Sequence, residues 1–250
     1  MTILNDRFKN GYDNIAGFYD SVLGDSRETE KYILNKVKEL FKSNHQSKPE
    51  ALELGCGTGN NLLFLKNKFV LTGIDSSAEM LKIARRKLPE SVFHRKDFRK
   101  FDLKKKFDLI LCLYDTINHI TLFSDWKRIF GNVNSHLNKN GLFIFDINTL
   151  HKLEFIASVS PVMNKFDNSY LIVNVKKLNA NVFNWNLKVF ENTGGRNFKL
   201  TETNIRESSF DLKRIKEELS KYFRIIKIEE ETGKRMSRNS ERLYFICRKK

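Results

Sequence analysis

Glu53-Leu54-Gly55-Cys56-Gly57-Thr58-Gly59 sets a carboxylate ahead of three glycines at alternate positions. Glycine lets the backbone turn tightly and lets a ligand approach the main chain. A glycine loop between a strand and a helix is a general device for nucleotides. The dinucleotide frame needs a third glycine where Asn60 stands, and the Gly-Lys-Ser/Thr of a phosphate loop is absent. An acid two residues ahead of the loop would also repel a pyrophosphate. Asp75 closes the next apolar run, FVLTGID, where a carboxylate can accept two hydrogen bonds from a ribose diol. Asp97 closes SVFHRKD, with Phe98 beside it to stack on a purine that the acid reads through its amino group. Two acids at successive strand ends above a glycine loop suit an adenosine without phosphates.

These residues need a frame that brings strand ends to one edge. Apolar runs at 51–54, 69–75, 91–97, 107–115 and 141–148 read as strands. Helical spacing fits 28–43, 60–67, 76–88 and 123–137, with Ser76 or Ser77 able to cap the third and Pro89 to stop it. Alternation with short links argues a parallel sheet covered on both faces. From 168 to 210 the period becomes 2, with a Thr193-Gly194-Gly195 turn, which reads as an antiparallel meander. Residues 211–222 return to helix, and 223–229 and 241–249 close as a strand pair. The expected fold is α/β: a Rossmann-like, seven-stranded, mostly parallel sheet with helices on both faces and an inserted antiparallel meander. One domain is expected over 1–250, divided into an N-terminal lid (1–45), a cofactor core (46–150), the insertion (151–210) and a closing helix and strand pair (211–250).

ELGCGTGNN, GIDSSAEML, KDF and FDLILCLYDTINHI together resemble motifs one to four of the class I S-adenosylmethionine-dependent methyltransferases. Tyr19-Asp20 is similar to a Tyr-Asp of the small-molecule branch. The resemblance runs over about residues 12–148. It implies S-adenosylmethionine as cofactor, S-adenosylhomocysteine as product, and transfer to an N or O atom. By it, Glu53 and Gly55, Cys56, Gly57 and Gly59 would face the methionine part, and Asp75 the ribose. Ser76 and Met80 would line the adenine side, Asp97 and Phe98 would bind adenine, and the Leu113 carbonyl would accept from the amino group. Tyr19 would fold over the cofactor.

Methyl transfer from a sulfonium is an in-line displacement, so the protein mainly aligns the nucleophile and excludes water. A base is needed only for a protonated acceptor. His119, just past the fourth strand at the carboxyl edge, is the candidate, and Asp115 is a candidate to orient the substrate. The Tyr114-Asp115-Thr116-Ile117 segment departs from the Asn/Asp-Pro-Pro-Tyr used for exocyclic amino groups of adenine. Cys112 lies inside an apolar strand and reads as core. Phe183 and Trp185 share one face of the meander, which reads as packed on the sheet.

Of 250 residues, 45 are Lys or Arg and 30 are Asp or Glu, a net charge of +15. Such a balance invites nucleic acid. Arg85-Arg86-Lys87 and Lys104-Lys105-Lys106 precede parallel strands, and are expected at the amino edge, opposite the cofactor. Lys234, Arg235, Arg238 and Arg242 are expected at the active-site mouth, where Arg235 and Arg238 would bind an anionic acceptor. Three cysteines, Cys56, Cys112 and Cys247, form neither a disulfide framework nor a zinc pattern, and no metal site is expected. No apolar run reaches the roughly 20 residues of a membrane span, and no signal segment is evident, so a cytoplasmic setting is expected. Three readings follow: a small-molecule methyltransferase, a tRNA or rRNA methyltransferase, and a non-catalytic regulatory protein that binds the cofactor.

Overall fold

The computed structural model describes residues 11–22, 27–40 and 48–250. The expected parallel core forms from β1 (Glu50–Leu54), β2 (Val70–Asp75), β3 (Val92–Arg95), β4 (Phe107–Cys112) and β5 (Leu137–Asn148). β10 (Phe223–Glu229) and β11 (Arg242–Lys249) complete a seven-stranded sheet in the order β10-β11-β5-β4-β1-β2-β3. β11 alone runs against its neighbours β5 and β10, so β10 points the same way as the core strands.

Period 2 divides each strand between two cores. Ile110, Cys112, Phe143, Phe145 and Phe245 face α5 (Phe123–His136) and α7 (Leu212–Leu219). Leu109, Leu111, Ile144 and Ile246 face α2 (Arg27–Leu40), α3 (Asn60–Leu63) and α4 (Ala78–Lys87). Phe143 stacks on Phe145 at 4.8 Å and Phe145 on Phe245 at 4.7 Å, so aromatic planes tie β5 to β11. Ser77 caps α4 by accepting from the Met80 amide at 3.1 Å, as its position implied.

Two local expectations change, and a third runs past the described residues. The 60–67 helix is a single turn, α3, followed by turns to Phe69. The 28–43 helix is described as Arg27–Leu40, and residues 41–43 lie outside the described residues. A helix not anticipated, α6 (Leu150–Val159), follows β5. Its cap is Thr149, which accepts from the Lys152 amide at 3.2 Å.

The insertion is a second sheet, β6-β7-β8-β9 (Val162–Phe166, Ser169–Lys177, Val182–Gly194, Asn197–Ser208). Leu171, Val173, Val175, Phe183, Leu187 and Val189 form its inner face, with Trp185 packed against them. That face covers α6 and the N-terminal segment, a 3₁₀ turn (Gly11–Asn14) followed by α1 (Ala16–Val22), through Leu153, Ile15, Tyr12 and Phe18. Phe183 and Trp185 therefore pack on the N-terminal segment and α6 rather than on the large sheet.

Candidate active site

The three loop glycines all take positive φ: 65° at Gly55, 51° at Gly57 and 82° at Gly59. Only glycine adopts this geometry without strain. At Gly55 a Cβ would also stand 2.4 Å from Thr116 Cγ2, so the loop and the β4 exit touch backbone to side chain. At Gly57 a Cβ would meet nothing within 4 Å, because this stretch faces open space. That space is a cleft of about 390 Å³ lined by Tyr19, Gly55–Thr58, Asn60, Asn61, Leu113, Tyr114 and Thr116.

The acids behind the cleft divide into two kinds. Asp75 accepts from the Gly57 amide at 2.9 Å and the Ser77 amide at 2.8 Å, so it braces the loop from below. Burial raises its carboxyl above the ordinary range despite those amides. Glu53 is fully buried and pushed up to about 8 by its burial. Asn61 donates to Glu53 Oε1 at 2.7 Å, while Glu53 Oε2 and Asn61 Oδ1 have no partner among the described residues. Two orphaned buried acceptors beside an open cleft fit a cationic group. Met80 is buried in α4 and Ser76 is exposed after β2.

Asp97 behaves differently. Arg99 grips both its oxygens, with Nε at 2.9 Å from each and Nη2 at 2.6 Å from Oδ2. Burial would raise Asp97, yet the Arg99 contacts hold it below the usual carboxylate range. Phe98 packs against the core under α5. Neither lines the cleft, and Asp97 is engaged with Arg99.

The N-terminal segment crosses the cleft as a strap. Asp13 accepts from Ser77 Oγ at 2.5 Å. Asp20 accepts from Thr58 Oγ1 at 2.6 Å, Asn60 Nδ2 at 2.9 Å and Lys87 Nζ at 2.5 Å. Lys87 also donates to Asn60 Oδ1 at 2.6 Å. This corrects the expectation that Lys87 lies opposite the cofactor: its long stem reaches back to the loop. Lys105 does stay at the amino edge, paired with Glu50 at 2.8 Å. Tyr19 is thereby held over the cleft, and burial pushes its hydroxyl well up.

Beyond the cleft lies a second cluster of polar side chains. His119 Nδ1 faces the Arg206 carbonyl at 3.3 Å, which can only accept, so Nδ1 carries the proton. Nε2 then accepts from the Tyr12 hydroxyl at 2.9 Å. Burial lowers the His119 imidazole below 6.5. Asp115, His119 and Glu207 place one donor atom each within 4.8 Å of one another. Glu207, from β9, is 5% exposed, accepts from Asn148 Nδ2 at 3.1 Å, and is pushed up to about 8 by burial and then by Asp115.

Arg242 closes this wall from β11. Its Nη2 lies 2.5 Å from Asp115 Oδ1 and its Nη1 2.8 Å from Asp146 Oδ2. Asp146 also accepts from the Asp115 amide at 2.9 Å. Burial opposes the Arg242 charge, but the two carboxylates more than restore it. Burial would likewise raise Asp115, and Arg242 instead holds it below 3.8. Arg242 is therefore a bridge between two carboxylates and not a free cation at the mouth, a correction to the sequence reading. The network fixes two consecutive left-handed residues, Tyr114 (φ 55°) and Asp115 (φ 48°), that shape the cleft wall. Arg235 and Arg238 are exposed on the 230–241 loop, which leaves β10 at the carboxyl edge and is tied to Thr149 through Ser240 and Glu241.

Of the site residues expected from the sequence, Tyr19, Gly55, Cys56, Gly57 and Leu113 line the cleft, and Asp115 and His119 sit in the cluster beside it. Thr58, Asn60, Asn61, Tyr114, Thr116, Tyr12 and Glu207 join them without having been expected as site residues. The first five sit inside quoted motifs and carried a readable polar signal. Tyr12 and Glu207 reach His119 only through tertiary folding.

Known proteins agree with this picture. A family model described as a methyltransferase domain matches residues 51–141. An uncharacterized methyltransferase of Bacillus cytotoxicus is 32% identical over 146 residues, covering 57% of this chain and 68% of that protein. A Streptomyces fradiae dTDP-3-amino-3,6-dideoxy-alpha-D-glucopyranose N,N-dimethyltransferase is 31% identical over 134 residues, covering 53% and 52%. The chain spans 52% to 60% of the length of several such curated relatives. The crystal structure of an S-adenosylmethionine-dependent methyltransferase from Clostridium acetobutylicum superposes with a TM-score of 0.83 at 25% identity, over 96% of this chain and 99% of that one. Sequence and fold thus point the same way, and the chain belongs to the S-adenosylmethionine-dependent methyltransferases of the class I fold.

Proposed function

We propose that this protein transfers a methyl group from S-adenosylmethionine to a nitrogen atom of a small-molecule amine. The observation that carries the reading is the acidic and imidazole wall of Asp115, His119 and Glu207 beside the glycine-loop cleft. Such a wall favours an ammonium-bearing molecule over an anionic one at the reacting end. Three relatives are named as N,N-dimethyltransferases of dTDP-linked amino sugars, which supports an acceptor of that kind.

When bound, the cofactor supplies an activated methyl group on a sulfonium. The chain's own residues do the rest. Glu53 and Asn61 offer buried acceptors to a cationic group, and Asp75 braces the loop and offers carboxylate oxygens to a diol. Tyr19, held by the strap, shields the cleft from water. His119 orients the acceptor with a fixed tautomer, and Asp115 holds its place through Arg242. Arg235 and Arg238, at the carboxyl edge, would hold an anionic tail such as a diphosphate.

S-adenosylmethionine should raise the melting temperature of the wild type by mass action, and Asp75→Ala should remove most of that rise. Mass spectrometry should show one methyl added to a dTDP-linked amino sugar. No thermal response in the wild type would overturn the reading.

A further inference from the structure

Glu207 belongs to neither the motifs nor the cofactor cleft, yet its carboxyl is buried beside Asp115 and His119. Its place is tightly built. Asn118 donates through Nδ2 to the Ser208 carbonyl at 2.7 Å and to the Asn148 carbonyl at 2.9 Å, and its Oδ1 accepts from the Asn148 amide at 3.0 Å. Ser208 Oγ donates to the Ile120 carbonyl at 2.8 Å. The end of β9 is thus pinned to the exits of β4 and β5, and Asn148 Nδ2 fixes one Glu207 oxygen from the side. The carboxyl faces Asp115 and His119 from the β4 exit, with Tyr12 on the strap, Lys152 on α6 and Arg242 on β11 as the other charged or titratable neighbours.

We propose that Glu207, supplied by the inserted sheet, is the catalytic residue that takes the proton from the acceptor's ammonium. The inference rests on the methyl-transfer reading above. His119 is the less suited group: Tyr12 already donates to its Nε2, and burial weakens the ring as a base. An ammonium bound beside Glu207 displaces to solvent the proton that burial otherwise holds there up to about 8, and the carboxylate so formed is the stronger base of the two. The step balances. The ammonium N–H breaks and its proton passes to the Glu207 carboxylate, leaving a neutral amine. The amine lone pair then forms the N–C bond as the sulfonium C–S bond breaks, and its electrons remain on the sulfur of S-adenosylhomocysteine. The proton of Glu207 leaves to solvent when the product departs.

The test reads the carboxyl directly, with methylammonium as the probe. Infrared pH titration of the wild type against Glu207→Gln isolates the Glu207 band from that of Glu53. The difference should show a protonated carboxyl that titrates near pH 8, and saturating methylammonium should move it down by a unit or more. Glu207→Asp should keep a methylammonium-sensitive band. In turnover of a dTDP-linked amino sugar, Glu207→Gln should lower kcat at least a hundredfold, with the S-adenosylmethionine thermal shift intact. An ordinary carboxyl titration at Glu207, or a band indifferent to methylammonium, overturns the assignment. Loss of the thermal shift in the wild type would instead strike the methyl-transfer reading.

Discussion

Gly55→Ala separates two costs that a glycine loop usually mixes. The first is conformational: an L-residue at φ 65° costs about 1–2 kcal/mol. The second is steric: the new Cβ would sit 2.4 Å from Thr116 Cγ2 and 3.1 Å from its Oγ1, and such overpacking costs about 1–3 kcal/mol. Together Gly55→Ala should lose about 2–5 kcal/mol of stability. Gly57→Ala carries only the first cost, about 1–2 kcal/mol, because its Cβ meets nothing within 4 Å. Its methyl enters the cleft instead, so it should weaken S-adenosylmethionine binding more than it weakens the fold. Thr116→Ala removes both clashing atoms and leaves Cβ at 3.4 Å, an ordinary contact. The double variant should therefore recover about 1–3 kcal/mol of the Gly55→Ala loss. Urea unfolding of the four proteins, with calorimetric cofactor titration, measures each part. Equal losses at Gly55 and Gly57, or no coupling between Gly55 and Thr116, would refute the reasoning.

Two further outcomes follow from the buried charges. Glu53 rises from 4.5 to about 8, so between those values the folded chain keeps a proton that the unfolded chain has released. Stability of the ligand-free protein should fall as pH rises through that window, and Glu53→Gln should remove one proton's worth of the slope, about 1.4 kcal/mol per pH unit. An unchanged slope in pH-dependent urea melts would contradict this. Arg242→Gln leaves Asp115 and Asp146 buried without their cation and should cost about 3–5 kcal/mol at neutral pH. Asp115 is held below 3.8 when paired, so its share is present above that value and lost as pH falls through the folded one. The gap between variant and wild type should thus narrow as pH falls, because the unpaired carboxylates of the variant take up protons before the paired ones of the wild type do.

The sheet was legible because burial on both faces writes continuous apolar runs, as in FDLILC and VLTGID. α6 was not, because LHKLEFIASV buries only Leu153 and leaves Phe155 and Val159 exposed, so no helical stripe shows. The cofactor side was legible because its parts lie within single motifs: glycines, the acid ahead of them and the strand-end acids. The acceptor side was not. Glu207 and His119 are 88 positions apart in sequence and meet only through the register of β9 against the β4 exit. Arg242 looked like a free cation because its partners, Asp115 and Asp146, arrive from two other strands. Charge read along a chain overstates what remains unpaired in a fold.

The strap has a kinetic consequence. One stretch of a dozen residues grips the glycine loop through Asp20, α4 through Asp13, His119 through Tyr12, and the inserted sheet through Gly11, whose carbonyl accepts from Thr203 Oγ1 at 3.2 Å. On the reading proposed above, the spent cofactor and the methylated acceptor would leave by one door, so each release should wait on the same four grips letting go.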